Sequence, residues 1–237
     1  NGVSVSNVPE VECKVRANRA AGFSIIKVDN PTATEGRVHG LSQAPDMFIC
    51  KSLGASDNWH TYWKVLGKDY YINLNGSSGK SSSDQFGSQE PNDISFYVKP
   101  NTGSGANRAG GMVYFAWHSV EGFSKFGEYT ANNSASGPFV YCGFKPKLVL
   151  IWCHNQGESR NLFDTERHPN NFIGQFLKAG DPNQEPTSNN ESFSIDILSN
   201  GFKPRGQWGG INDSNTTAKY LFAAWAEEPF QSNCRAR

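Results

Sequence analysis

Two stretches decide the fold of this chain: Met112-Val113-Tyr114-Phe115-Ala116-Trp117 and Tyr220-Leu221-Phe222-Ala223-Ala224-Trp225. Each is a short apolar run rich in aromatic residues, and each ends in Ala-Trp. Runs of this length and composition, bounded by turn residues, are typical of buried β-strands. The two stretches therefore predict a pair of equivalent closing strands, one in each half of the chain.

The motifs that precede these two runs recur in the same order. The further pairs are Gly22-Phe23-Ser24 with Gly122-Phe123-Ser124, Met47–Cys50 with Leu148–Ile151, Trp59–Trp63 with Arg160–Asp164, and Ile94–Val98 with Phe193–Ile197. An ordered set of matches indicates internal duplication. We therefore expect a lead-in strand or arm at residues 1–20, a first unit at 21–120 and a second unit at 121–237.

The composition predicts the class of fold. Aromatic residues make up 13% of the chain, and its 24 glycines and 12 prolines supply turns between short apolar runs. This pattern predicts an all-β fold with two tandem β-sandwich-like units of jelly-roll or lectin-like type. Because no linker separates the units, we expect them to pack against each other. A single helical turn is expected at Phe172–Lys178.

Charge and cysteine usage exclude several classes of partner. The 22 basic and 22 acidic residues balance, which gives no electrostatic case for nucleic acid. No run reaches about 18 apolar residues, so membrane insertion is not expected. The polar stretch Asn1–Ala20 shows no secretory signal. Five cysteines without CxxC spacing predict neither a metal knuckle nor a complete disulfide framework. We expect free thiols, with one disulfide among Cys13, Cys142 and Cys234 as the alternative.

Reactive motifs are sparse. His118 and His154 follow strong apolar strands and are expected to be structural, hydrogen-bonded residues. The loop Gly76–Ser81 has the wrong glycine spacing for phosphate binding. Asp164 and Glu166 would share one face of a strand, with Arg167 on the other. We expect a solvated or arginine-paired entry to a loop here, and a glycosidase-type carboxylate pair is the alternative. No catalytic, cofactor-binding or metal-binding residue is predicted.

Aromatic residues are the remaining candidates for partner or glycan contact: Trp59, Tyr62, Trp63 and Trp208. Strand alternation places Trp59 and Trp63 on one face and Tyr62 on the other. Core packing and partner contact stay open for Trp59 and Trp63. For Trp208, which lies in a glycine-flanked loop, partner contact is favoured, since loops on rigid sheets carry function.

A longer pattern links the chain to a known kind of protein. It comprises Val120-Glu121-Gly122-Phe123-Ser124-Lys125-Phe126-Gly127-Glu128-Tyr129-Thr130, then Gly137–Pro146, Ile195–Pro204 and Phe222–Phe230. The pattern resembles a tandem-repeat domain of unknown function found in tail-fibre and other virion structural proteins of marine bacteriophages. The resemblance covers nearly the whole chain from Ala21 onward. The first copy departs from the usual aromatic-Thr-Gly-Asn opening and has Val28-Asp29-Asn30-Pro31 instead.

The resemblance implies a virion structural protein without enzymatic activity or cofactor. We expect a tail-fibre or tail-tip module that contacts the host surface. Its partners would be other virion protein chains, further copies of itself, and a glycan or protein on the host cell. A capsid decoration protein is one alternative, and a lectin-like glycan hydrolase is another.

Overall fold

Strands dominate the fold, with 41% of residues in strands and 1% in helices. The predicted all-β, sandwich-like fold is therefore confirmed. The structure is a computed structural model that describes residues 11–29, 31, 35–87, 89–99, 105–182, 184–185 and 190–227. Within these residues, no helical segment has the length and apolar character needed to cross a membrane.

The chain forms two compact units, and their boundaries are not a single cut in the sequence. The first unit contains the described residues up to Tyr71 and those from Ser81 to His118. The second contains Ile72–Lys80 and the described residues from Ser119 onward. The segment Ile72–Lys80, which the sequence boundaries place in the first half, therefore belongs structurally to the second unit.

In the described part of the chain, nine strands begin in the first unit. They are β1 (Lys14–Asn18), β2 (Phe23–Val28), β3 (Glu35–Val38), β4 (Met47–Ser52), β5 (His60–Trp63), β6 (Tyr70–Asn73), β7 (Ser81–Ser82), β8 (Ser95–Val98) and β9 (Met112–Trp117). One sheet has the order β1-β2-β9-β4-β5-β6-β7, and a second sheet pairs β3 with β8. The lead-in region thus contributes an edge strand, β1, while residues 1–10 lie outside the described residues.

The second unit has eight strands among its described residues. They are β10 (Ser124–Thr130), β11 (Val140–Tyr141), β12 (Leu148–Cys153), β13 (Arg160–Asp164), β14 (Leu177–Ala179), β15 (Ile195–Leu198), β16 (Gly201–Pro204) and β17 (Lys219–Trp225). One sheet has the order β10-β17-β12-β13-β14, and the other has the order β11-β16-β15. A short 3-10 turn at Glu191–Phe193 precedes β15.

The helical turn expected at Phe172–Lys178 is wrong. This segment runs as an extended chain into β14, and Leu177 pairs with Leu162 of β13. Ile173 and Phe176 are buried in the core of the second unit. Backbone hydrogen bonds to β13 and burial of these two side chains stabilise the extended conformation. One isolated helical turn would be less stable, because helix nucleation is costly.

A stack of aromatic rings fills the core of the first unit. The ring of Phe48 on β4 stacks on Tyr62 of β5 at 4.7 Å and on Phe96 of β8 at 4.5 Å, measured between ring centroids. Phe86 meets Phe48 edge-on at 5.2 Å. Because β4 and β5 lie in the large sheet and β8 in the small one, these contacts hold the two layers of the sandwich together.

Two tyrosines organise the core of the second unit. Tyr129 of β10 and Tyr220 of β17 stack at 5.0 Å, and both rings are buried. The Tyr129 hydroxyl donates to the Ile211 carbonyl at 2.7 Å, and the Tyr220 hydroxyl donates to the Gly209 carbonyl at 2.8 Å. The loop that carries Trp208 is therefore tied from beneath by two buried hydroxyl groups.

The two units share one arrangement of four strands. The order β2-β9-β4-β5 in the first corresponds to β10-β17-β12-β13 in the second. Trp117 pairs with Met47 in one unit, and Trp225 pairs with Leu148 in the other, which supports the sequence alignment of these runs. The recurring Gly-Phe-Ser motif does not keep the same register in the two sheets. Trp117 pairs with Phe23, the phenylalanine of the first motif, whereas Trp225 pairs with Ser124, the serine of the second, which is a shift of one residue.

A buried arginine fixes the segment Ile72–Lys80 in the second unit. Arg160 has no exposed surface, and its guanidinium donates to the carbonyls of Asn73 at 3.1 Å, Glu158 at 2.5 Å and Ser78 at 2.5 Å. The backbone N–H of Lys80 donates to the His154 carbonyl at 2.7 Å. The loop between the paired strands β6 and β7 is therefore hydrogen-bonded to the second unit at Asn73, Ser78 and Lys80.

Candidate contact surface

Tyr62 and Trp63 lie in the interior, because strand β5 is buried on both faces. Each side chain is 1% exposed. The Tyr62 hydroxyl donates to Glu90 Oε2 at 2.8 Å, and its ring lies in the core described above. The prediction of a partner contact at Tyr62 is thus corrected, and for Trp63 the core-packing alternative holds: the alternation across β5 is as predicted, but both of its faces are covered.

Trp59 lies at the end of a row of half-buried aromatic rings. We call Phe23, Trp117, Phe115 and Trp59 the aromatic row. Successive ring centroids along it are 4.9, 6.4 and 6.4 Å apart, and successive ring planes differ by 28°, 26° and 21°. The neighbouring Ile25 is 37% exposed. The row therefore presents near-parallel rings on one face of the large sheet.

A cation lies beside the Trp59 end of the aromatic row. Lys51 Nζ is 5.8 Å from the centroid of the Trp59 ring. The same ammonium donates to the Asp57 carbonyl at 2.5 Å. This bond holds the ammonium at the ring face, where it interacts with the π-electrons of the indole.

Trp208 is part of the wall of the second core. Its ring contacts Phe176 at 5.2 Å and meets Phe193 edge-on at 5.3 Å. Its carbonyl accepts from the N–H groups of Ile211 and Asn212 at 3.0 and 2.8 Å. The side chain remains partly exposed, so partner contact at Trp208 stays a prediction. The ring also packs against the core of the second unit.

The structure brings together one cysteine, one histidine and one aspartate that sequence spacing did not suggest. Cys50 and His60 are opposite each other on β4 and β5, and His60 Nε2 is 3.2 Å from Asp57 Oδ1. Burial raises the pKa of the Cys50 thiol well above its ordinary value and lowers that of His60. A nucleophilic cysteine needs an accessible, low-pKa thiol, so this group is arranged as core packing.

The other histidines highlighted by the sequence are also buried and hydrogen-bonded. His118 lies 3.1 Å from Ser42 Oγ and 2.7 Å from Gln43 Nε2, and His154 Nε2 lies 2.7 Å from Glu128 Oε2. This matches the expected structural role. In the described ranges no group of three or more His, Cys, Asp or Glu is placed to hold a metal ion.

These histidines make stability depend on pH. Burial lowers the pKa of His39, His60 and His154, so the unfolded chain binds protons more readily than the fold does. Their stabilising contribution is present above about pH 6.5 and is lost as the pH falls below it. We expect the free energy of unfolding in urea to drop by more than about 1 kcal/mol between pH 7.5 and 5.5.

The control for this pH dependence is His39→Gln, which should flatten the decline. The lowered pKa values of Asp57 and Asp164 act only at more acidic pH, while the raised pKa of Glu158 acts in the opposite sense. A free energy of unfolding that stays constant or rises between pH 7.5 and 5.5 would contradict the assignment.

Asp164 and Glu166 do not form a pair. Strand β13 ends at Asp164 and the chain turns, so Arg167 does not lie on the opposite face of a strand but folds back onto Asp164, as the expected arginine-paired loop entry requires. Asp164 accepts from the Arg167 N–H at 2.9 Å and from Arg167 Nε at 2.5 Å. Burial alone would raise the pKa of Asp164, but these bonds to Arg167 outweigh burial and keep that pKa below its ordinary value. Glu166 instead pairs with Lys147.

A different acidic pair flanks the loop next to Trp208. A Cβ on Gly209 would lie 2.5 Å from Glu158 Oε1 and 3.1 Å from Asp213 Oδ2. Burial and the negative charge of Asp213 raise the pKa of Glu158. No sequence pattern predicts this pair, because its members are far apart in the chain and meet only through the loop that connects to β17.

Two exposed rings were also not assigned a contact role by sequence. Phe139 is 48% exposed and Tyr141 is 58% exposed, on either side of buried Val140. The alternation of this short strand was the available signal, since an inward Val140 turns both neighbours outward.

The thiols of three cysteines are buried and unbridged: Cys50, Cys142 and Cys153. Burial raises the pKa of Cys142 to about 12 and also raises the pKa of Cys153. Such thiols behave as small core side chains. Cys234 lies outside the described residues.

Comparison with known proteins gives one match. A family model described as Domain of unknown function (DUF7483) matches residues 1–229. No curated protein matches the chain, and no solved structure does.

Proposed function

The chain belongs to the family described as Domain of unknown function (DUF7483), and since that membership names no activity, we propose a function from its surfaces and its sequence pattern. It is a structural protein of a bacteriophage particle, a tail-fibre or tail-tip module that contacts the host surface. The observation that carries the proposal is the aromatic row, a half-exposed stack of rings on a rigid sheet.

The aromatic row is suited to contact with a partner surface. Rings with few rotatable bonds supply large contact areas at low entropic cost, and aromatic residues are enriched where proteins meet partners. Both Phe115 and Trp117 lie on β9, a strand flanked by β2 and β4. A strand with two ladder neighbours holds its side chains in fixed positions, which favours binding without induced rearrangement.

The placement in a phage particle is supported by the resemblance carried by Val120–Thr130 and the later motifs. Virion proteins act as symmetric assemblies, so we propose that copies of this chain associate with one another and with other virion proteins. Repetition of modest contact sites would then supply avidity without a strong single site.

Imaging of intact particles tests the proposed location. An antibody raised against the purified chain, coupled to gold, should label the tail fibres or tail tip in electron micrographs. Labelling of the capsid would favour the decoration-protein alternative. Absence of the chain from purified particles, checked by mass spectrometry of the same preparation, would refute the proposal.

The aromatic row makes a second prediction. Because Trp59 and Phe115 supply two of its four rings, the double variant W59A/F115A should reduce binding of the purified protein to host cells by about tenfold or more. Cell-bound protein would be measured by flow cytometry with a fluorescent label. The matched control is Leu53→Ala, which removes a side chain that is 52% exposed in the same unit. Equal binding by the double variant and the control would remove the row from the contact surface.

The glycan hydrolase alternative is supported by Glu158 and Asp213. A carboxyl group with a raised pKa beside a second carboxylate is the arrangement that glycosidases use, and Trp208 is adjacent in sequence to the glycine that the pair flanks. If this alternative holds, release of reducing sugar from a host glycan should be abolished by Glu158→Gln. Loss of activity with Asp164→Ala but not with Glu158→Gln would instead place the activity at Asp164, the carboxylate that is bound to Arg167.

A further inference from the structure

The outer face of the three-stranded sheet β11-β16-β15 carries aromatic rings and cations. Val140 and Phe202 of this sheet are buried, and alternation therefore turns Phe139, Tyr141 and Lys203 outward. Tyr141 and Phe139 are 58% and 48% exposed. Their Cα atoms are two residues apart, which corresponds to about 7 Å along a strand. β11 is an edge strand in the described sheet, so part of its backbone also faces outward.

Close packing fixes the position of the Phe139 ring. A Cβ at Gly201 would lie 3.2 Å from Phe139 Cε2 and 2.1 Å from the Val140 carbonyl oxygen. Glycine at this position therefore lets the ring lie close over β16. The Tyr141 ring has a cation at its side, since Lys125 Nζ is 5.8 Å from its centroid. The two rings are thus held as platforms instead of moving freely above the surface.

Three cations and two carboxylates lie at this face, and one of the cations, Lys125, belongs to β10 of the other sheet. Asp196 is the register partner of Lys203. Lys203 Nζ donates to Ser136 Oγ at 2.7 Å, and within the described residues neither Lys125 nor Lys203 has a carboxylate at ion-pair distance. Arg205 is the third cation, and it pairs with Asp196 at 2.7 Å and with Glu191 at 3.6 Å. Its guanidinium also lies 5.7 Å from the centroid of the Phe172 ring. Two ammonium groups therefore remain to attract an anion.

We propose that this face of the second unit binds an anionic polysaccharide, with the rings of Tyr141 and Phe139 stacking on sugar faces and Lys125 and Lys203 binding carboxylate or sulfate groups. Exposed rings match the apolar C–H face of a pyranose, and the outward backbone groups of β11 match its hydroxyls. The inference rests on the proposed function only for the source of the glycan, the host surface. The site itself rests on the geometry of the second unit.

Two other anionic partners fit this face less well. Lysine is depleted in the cores of protein–protein interfaces, whereas here two lysines adjoin the exposed rings. Binding of single-stranded nucleic acid also combines rings with cations, but it follows a basic groove, and the chain as a whole has 22 basic and 22 acidic residues. The acidic peptide and the nucleic acid are therefore kept as outcomes of the test.

The test is titration calorimetry with purified full-length protein and defined probes: alginate, carrageenan, neutral dextran, polyglutamate and single-stranded DNA. We expect binding to alginate or carrageenan that weakens as salt is raised, and none to dextran. Tyr141→Ala should weaken this binding by about tenfold or more, whereas Tyr141→Phe keeps the stacking ring and should bind like the wild type. Lys125→Gln with Lys203→Gln should weaken binding and flatten its salt dependence.

The matched control is Leu177→Ala, which alters a side chain that is 44% exposed on the other sheet of the same unit and should leave binding unchanged. Circular dichroism checks that each variant is folded. The proposal is overturned if neither anionic polysaccharide binds, if dextran binds equally well, or if Tyr141→Ala binds like the wild type. Binding of polyglutamate or DNA alone would also overturn it. Particle imaging is independent of these titrations, so failure of the glycan site and failure of the proposed location are separately visible.

Discussion

Arg160→Ala should destabilise the second unit by about 3 kcal/mol or more, because it leaves buried carbonyl oxygens without their donor. The guanidinium serves three carbonyls, those of Asn73, Ser78 and Glu158, and in the described chain no carboxylate is at ion-pair distance from it. Burial lowers the pKa of Arg160 to about 10, which still leaves it charged at neutral pH. The measurement is chemical denaturation at pH 7.5.

A local measurement distinguishes loss of the three Arg160 hydrogen bonds from a general loss of packing. The N–H of Lys80, which donates to His154, should exchange with deuterium faster in Arg160→Ala. Arg160→Lys keeps the charge but cannot reach three acceptors with one ammonium group, so it should recover only part of the loss. The control is Arg16→Ala, which alters an exposed arginine on β1. Equal unfolding midpoints for Arg160→Ala and Arg16→Ala would show that the Arg160 hydrogen bonds do not stabilise the second unit.

Phe48→Ala should be comparably damaging in the first unit. The ring is fully buried and contacts Tyr62, Phe96 and Phe86, so its removal leaves a cavity at the centre of the aromatic stack. The expected cost is about 3–5 kcal/mol. At about 4–8 °C per kcal/mol for a unit of this size, the melting temperature should fall by more than about 12 °C.

Two substitutions bracket the Phe48 effect. Phe48→Leu retains most of the apolar volume and should cost less than half as much. Leu53→Ala removes an exposed side chain and should shift the free energy of unfolding by less than about 0.5 kcal/mol. A melting temperature of Phe48→Ala within the range of Leu53→Ala would show that the stack does not support the first core.

The sequence predicted the strand framework well because local alternation encodes it. Strand β2, which begins within the recurring Gly22-Phe23-Ser24, shows this alternation, with Ser24, Ile26 and Val28 buried and the residues between them open. The expected match of Trp59–Trp63 with Arg160–Asp164 agrees with the register, since Trp63 and Asp164 occupy equivalent places opposite Met47 and Leu148. Period-two patterns depend only on neighbours in the chain, so they can be read without the fold.

The contact residues could not be predicted in the same way, because exposure depends on what covers a strand. The sequence left core packing and partner contact open for Trp63 and indicated partner contact for Tyr62, yet β5 is covered on both faces. Tyr141 was missed although it is the most exposed large hydrophobic side chain in the described chain, since its strand is only two residues long. Glu158 and Asp213 meet through tertiary structure alone, and no spacing rule joins them.

The assignment of Ile72–Lys80 to the second unit has a consequence for dividing the protein. Expression of residues 119–237 alone would leave Arg160 without the acceptors at Asn73 and Ser78, and would open the backbone of His154 to water. Such a fragment would lack Ile72–Lys80, which is synthesised before the other described residues of the second unit. Half-chains intended to fold on their own would therefore need this nine-residue stretch grafted back or supplied as a peptide.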